Sequence, residues 1–120
     1  MTTRRAASSI LGLFFLCCSA CTPQLSDAEA ERIATEGRAV LRDHPSSGQI
    51  DSAKLPPAIA AMRPKVVYVT PDGLYIQSTK WFTSEWGVYV PRAASFSPSV
   101  GSDPRYEPVR DGLYRYHIAG

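Results

Sequence analysis

Between residues 26 and 44 apolar side chains recur at three- and four-residue spacing. Ala30, Ile33, Ala34, Gly37, Val40 and Leu41 form one stripe, and Glu29, Glu31, Arg32, Glu36, Arg38 and Arg42 largely fill the opposite face. That period predicts an amphipathic helix. Ser26 followed by Glu29 has the spacing of a capping box, with Leu25 and Ala30 placed as its hydrophobic staple. His44 ahead of Pro45 ends the helix, because a residue before proline avoids the helical region. Acidic residues lead and arginines trail, as the helix dipole favours. The apolar stripe is thin and rich in alanine, so this helix needs a sheet to pack on. Residues 46–54 read as loop. Residues 57–62 suit a short second helix with proline in its first turn.

From residue 66 the period changes to two. Val66-Val67-Tyr68-Val69 and Leu74-Tyr75-Ile76-Gln77 flank Thr70-Pro71-Asp72-Gly73, where proline pre-sets the first turn position and glycine supplies positive φ, a hairpin signal. Trp86, Val88 and Val90 alternate with Gly87 and Tyr89 in a third strand ended by Pro91. Leu113 to Ile118 alternate in a last strand after Asp111-Gly112. Residues 106–109 are a candidate edge piece, since Pro108 cannot donate to a ladder. The expectation is therefore an α+β fold: an N-terminal helix and a short second helix packed on a small antiparallel sheet of about four strands. Helices ahead of strands, joined by short turns, argue against a parallel sheet. Two connections are left over as loops. Residues 78–85 hold Trp81 and Phe82; residues 91–105 are rich in Ser, Pro and Gly around Phe96.

The first twenty residues follow another pattern. Met1 to Arg5 carries two positive charges, Ala6 to Cys18 is an uncharged run centred on Ile10, Leu11, Leu13, Phe14, Phe15 and Leu16, and the small Ser19 and Ala20 precede Cys21. This is the layout of a secretory signal peptide. The apolar run is about 13 residues, against the ~20 that a hydrocarbon-spanning helix needs. Cys18-Ser19-Ala20-Cys21 resembles the lipobox of bacterial lipoproteins, with Cys18 where leucine is usual. The resemblance covers only the signal. It implies removal of residues 1–20, diacylglycerol on the Cys21 sulfur and usually an amide-linked acyl chain such as palmitate. An ordinary cleaved signal or an uncleaved apolar helix is the alternative reading. In such lipoproteins Asp after the cysteine favours inner-membrane retention; Thr22 stands there instead, which implies the periplasmic leaflet of the outer membrane in a host with two membranes. Residues 21–25 then form a short lipidated tether, in which the four residues after Cys21 reach about 14 Å at full extension. Residues 26–120 form a single α+β domain.

Charge and chemistry narrow the function classes. The chain carries 13 basic and 11 acidic residues; Arg4 and Arg5 leave with the signal, so the remainder is formally neutral and lacks the basic footprint of nucleic-acid binding. All 3 cysteines, Cys17, Cys18 and Cys21, precede the domain, so no disulfide or thiolate metal site is expected within it. His44 and His117 read as a cap-region and a strand-face residue, not as metal ligands. There is no Gly-x-Ser-x-Gly motif and no phosphate loop. Ser52 with Lys54 is weak as a dyad, and Glu85, Asp103 and Glu107 read as solvated loop charges more readily than as paired glycosidase carboxylates.

The aromatic residues after position 65, interleaved with arginines, are the remaining clue, since Tyr, Trp and Arg anchor interfaces. Trp86, Tyr114 and Tyr116 read as sheet core. Trp81 and Phe82 suit binding or packing equally. The candidate binding set is Trp81, Phe82, Phe96, Arg92 and Arg105. The expected protein is a non-enzymatic, lipid-anchored envelope module without cofactor, held to the membrane by acyl chains on Cys21 and contacting an envelope protein or polymer. Left open are an inhibitor or immunity-type lipoprotein that neutralises a toxin or lytic enzyme, and, less favoured, an envelope hydrolase.

Overall fold

A computed structural model describes residues 24–120; the signal, the lipobox and Cys21 lie outside them. The fold is α+β, with two helices on one antiparallel sheet. The element order is α1 (Asp27–Asp43), β1 (Gly48–Gln49), α2 (Pro57–Ala61), β2 (Val66–Val69), β3 (Gly73–Trp81), β4 (Ser84–Pro91), β5 (Arg105–Arg110) and β6 (Leu113–Ile118). The six strands are ordered β1-β2-β3-β4-β6-β5, two more than the sequence pattern suggested. The two-residue β1 is too short to show alternation, and β5 carries Pro108 on the sheet's outer edge, where a missing N–H leaves the ladder intact.

α1 forms where its pattern places it. Ser26 Oγ accepts from the Glu29 amide (3.2 Å) and Glu29 Oε1 accepts from the Ser26 amide (2.9 Å), and that donated backbone bond holds the Glu29 carboxyl below its ordinary range. The stripe from Ala30 to Leu41 is buried against the sheet. Gly37 sits so close to β4 that a Cβ there would lie 2.7 Å from Val90 Cγ2, so the absence of a side chain sets how near the helix lies. Glu36, read from the sequence as part of the solvated face, turns out to cap α2: its carboxylate accepts from the Ala58 and Ile59 amides, both at 3.0 Å. That satisfies two orphan donors of a helix whose own cap position is Pro56.

The sheet is apolar on both faces, with two different chemistries. Toward α1 lie Val67, Val69, Leu74, Ile76, Val88, Val90 and Leu113, which join Ile33, Leu41, Ile50 and Ile59 in an aliphatic core. Full burial of each large aliphatic side chain contributes about 1.5–3 kcal/mol. The alternate positions carry tyrosine. Strand register puts Tyr68, Tyr75, Tyr89 and Tyr114 in one row across β2, β3, β4 and β6, with Tyr116 and Tyr106 paired alongside.

α1 lies across one end of the sheet. Its N-terminal turn is tied to β5 by Arg110 Nη1 donating to Asp27 O at 3.1 Å. Its C-terminal end meets the β2–β3 turn through Arg92. The opposite end of the sheet, where β3 turns into β4, extends beyond the helix.

Candidate functional site

The segment 78–85, expected to be an irregular loop, is instead the outer half of a β-hairpin. β3 and β4 pair to Trp81↔Ser84, leaving only Phe82 and Thr83 in the turn. A bulge at Ser78 shifts the register between Gln77 and Thr79, which breaks the period-two pattern and hides the strand from sequence reading. Beyond the bulge Thr79, Trp81, Ser84 and Trp86 stand on the helix-side face, and Lys80 and Glu85 on the other.

The tip exposes large apolar surface. Trp81 is 66% and Phe82 81% exposed, their rings in edge contact at 4.9 Å. Phe82 has φ +55°, the left-handed region that a two-residue hairpin turn requires and that Asn or Gly fills without strain. A bulky residue there costs about 1–2 kcal/mol. The fold receives no buried contact in return, since the ring points to solvent.

Trp86 lies one row inward, stacked at 4.6 Å and 5° on His117. Expected in the core, it is instead 36% exposed, because α1 does not reach this end. Arg105 pairs with His117 in register and is exposed. The helix-side face at the hairpin end therefore presents Trp81, Phe82, Trp86, His117 and Arg105. Ser84 Oγ donates to Ala119 O (3.2 Å) and Ala119 N donates to Asp103 Oδ1 (2.8 Å), which holds the base of the hairpin.

The other two candidate residues are occupied in the fold. Arg92 donates to Pro71 O (3.2 Å), Leu41 O (3.0 Å), His44 O (3.2 Å) and Thr70 O (3.2 Å). Phe96 folds back over the tyrosine face, 5.0–5.3 Å from Tyr89, Tyr106 and Tyr114.

On that face Tyr68 and Tyr116 both donate to Glu85 Oε2, at 2.7 and 2.6 Å. The Tyr75 and Tyr106 hydroxyls bond at 2.7 Å, and Tyr89 donates to Asp72 O at 2.9 Å. Tyr68 and Tyr75 stack at 5.0 Å. Gly87 provides the space: a Cβ there would lie 2.9 Å from the Tyr116 ring. Burial first, and donation to Glu85 second, push the Tyr68 and Tyr116 hydroxyls well above the usual phenol range. Burial, then the bond to Tyr106, does the same to Tyr75. Burial dominates at Tyr89 and Tyr106.

The residues with candidate chemistry do not converge. Glu85 lies on the tyrosine face, Glu107 pairs with Arg115 in register on the helix-side face, and Asp103 is engaged by Ala119. Ser52 and Lys54 sit exposed on a single 3-10 turn capped by Asp51. His44 caps α1 through its amide and Nδ1, both on Val40 O, far along the sheet from His117. Among the described residues no three His, Cys, Asp or Glu side chains gather as a metal site. No family model, curated protein or solved structure matches the chain.

Proposed function

We propose that this protein is a non-catalytic docking module of a bacterial envelope, held to the membrane by acyl chains on Cys21 and engaging a partner protein through the β3–β4 hairpin tip. The observation that carries this reading is Phe82. A large aromatic is kept in a left-handed turn position and 81% exposed beside a second exposed ring. Strain without a folding return is characteristic of positions kept for function, and rigid aromatic side chains are the commonest interface anchors. Arg105 and the Trp86–His117 stack supply a polar and aromatic surround on the same face.

Replacing Trp81 with Ala and Phe82 with Asn separates function from folding. Asn accepts the left-handed conformation, so the double variant should melt no lower than the parent, and Phe82→Asn alone should gain up to about 1 kcal/mol by relief of strain. Photo-crosslinking in cells should capture a partner protein with the parent chain and lose it with the double variant. Unchanged crosslinks in a folded double variant would overturn the reading. Recovery of a lytic enzyme or toxin as the captured partner would make the module an inhibitor.

Anchoring is tested separately. Two or more acyl chains give stable membrane attachment, at about 0.8 kcal/mol per buried methylene. Intact-mass analysis of protein recovered from cells should show loss of residues 1–20 and added acyl mass on Cys21. A chain retaining Met1, or a trimmed chain without added lipid, would refute it.

A further inference from the structure

At the helix-covered end of the sheet, on the tyrosine face and remote from the hairpin tip, the chain leaves a solvent-open cavity of about 430 Å³, large enough to seat one sugar ring against the surface. The Pro71-Asp72 turn, Arg92 and Ala93 line it together with the aromatic Phe96, Tyr106 and Tyr89. We propose that this cavity is a glycan-binding site that takes a neutral pyranose ring.

Three features select that ligand class. Phe96 and Tyr106 meet at 5.1 Å and 84°, so their rings form a right-angled apolar corner against which the C–H face of a sugar can lie. The hydrogen-bonding groups are those a polyol needs. Among the described residues no donor reaches the Asp72 carboxylate; only the Asp72 backbone is engaged, its amide donating to Thr70 Oγ1 and its carbonyl accepting from the Tyr89 hydroxyl and the Arg92 amide. It can therefore accept two hydroxyls. In the Tyr75–Tyr106 pair either hydroxyl can donate; when the more deeply buried Tyr75 does so, the Tyr106 O–H is left for a ligand acceptor. The lining holds one carboxylate and one guanidinium, and four of the five Arg92 donor hydrogens already go to backbone carbonyls. Because the two charges of the lining are of opposite sign, an anionic sugar or a nucleotide phosphate that gains from Arg92 also meets Asp72, and a cationic amino sugar that gains from Asp72 also meets Arg92. A neutral, hydroxyl-bearing ring meets neither cost.

Isothermal titration of the protein as recovered from cells, in micelles of an amine-oxide detergent free of sugar, tests the assignment. The probes are the neutral trisaccharides N,N′,N″-triacetylchitotriose and maltotriose, the cationic glucosamine trimer and the anionic galacturonate trimer. At least one neutral trisaccharide should bind at submillimolar concentration, and both charged trimers at least tenfold more weakly. Asp72→Ala, on an exposed turn, should weaken binding at least tenfold. Amide chemical-shift changes should centre on residues 71–73, 92–96 and 106. The Trp81→Ala/Phe82→Asn variant should bind the sugar as the parent does, so loss of the tip reading and loss of this one are distinguishable. No binding of either neutral probe, equal binding of the charged probes, or an Asp72→Ala variant with parental affinity would overturn the proposal.

Discussion

Raising the pH past 10 is expected to unfold this domain, with tyrosine ionisation and loss of secondary structure occurring as one transition. Five of the six tyrosines have hydroxyls pushed above their ordinary value, which is about 10 in an unfolded chain. Below pH 10 both states hold these protons and stability does not change with pH on their account. Above pH 10 the unfolded chain releases them while the folded chain retains them, so the unfolded state binds fewer protons and stability falls as pH rises. Each such group contributes up to about 1.4 kcal/mol per pH unit. Tyr75, Tyr89 and Tyr116, at 6%, 0% and 2% exposure, together contribute about 4 kcal/mol per unit. Against a typical domain stability of about 5–15 kcal/mol, the midpoint should fall roughly one to four units above pH 10. Absorbance at 295 nm should rise in step with loss of far-ultraviolet circular dichroism. Tyrosinate formation at pH 10 in a chain that keeps its dichroism would contradict the packing of this face. Glu85→Gln, which keeps an acceptor oxygen for Tyr68 and Tyr116 but removes the negative charge, should shift the transition only slightly, because burial is the larger cause at both hydroxyls.

Where local chemistry fixes an element, the sequence was readable. The Ser26–Glu29 box, the periodic stripe from Ala30 to Leu41 and the Pro71-Asp72-Gly73 turn all rest on residues within a few positions of one another, and each stands as its pattern implies. What escaped reading is long-range. Glu36 faces solvent on an isolated helix, and only the arrival of α2 twenty-two residues later turns it into a cap. The bulge at Ser78 disguised the hairpin, since Ser78-Thr79-Lys80 between Gln77 and Trp81 shows no alternation. The tyrosine face was concealed because its residues alternate with buried aliphatics, giving strands that are apolar on both sides without saying which aromatic meets which. Of the candidate site, Trp81, Phe82 and Arg105 lie on the exposed end, whereas Arg92 and Phe96 are drawn into the fold by partners 48–51 residues upstream for Arg92 and 10–18 downstream for Phe96.

Substitution of Arg92 then separates two roles that composition alone could not. Interface arginines are exposed and lose little stability on truncation, but the Arg92 guanidinium collects carbonyls from two places in the chain: Leu41 and His44 at the end of α1, and Thr70 and Pro71 in the β2–β3 turn. It satisfies acceptors that the helix terminus leaves open and places a positive charge at the negative end of the helix dipole. Hydrogen bonds to charged groups contribute about 1.5–3 kcal/mol each when isolated; four sharing one half-buried group do not add, and a loss of about 3 kcal/mol is expected for Arg92→Ala. For a domain of this length that corresponds to roughly 15 °C in melting temperature. Arg92→Lys keeps the charge but not the planar fork that spans separate carbonyls, and should recover less than half of the loss. The Asp72→Ala variant, which leaves these backbone carbonyls in place, should melt within about 1 kcal/mol of the parent, as surface substitutions usually do. Thermal denaturation of the three variants decides the matter: an Arg92→Ala protein that melts with the parent would return Arg92 to the binding surface, and a lysine that restores full stability would show that charge, not geometry, holds helix and turn together.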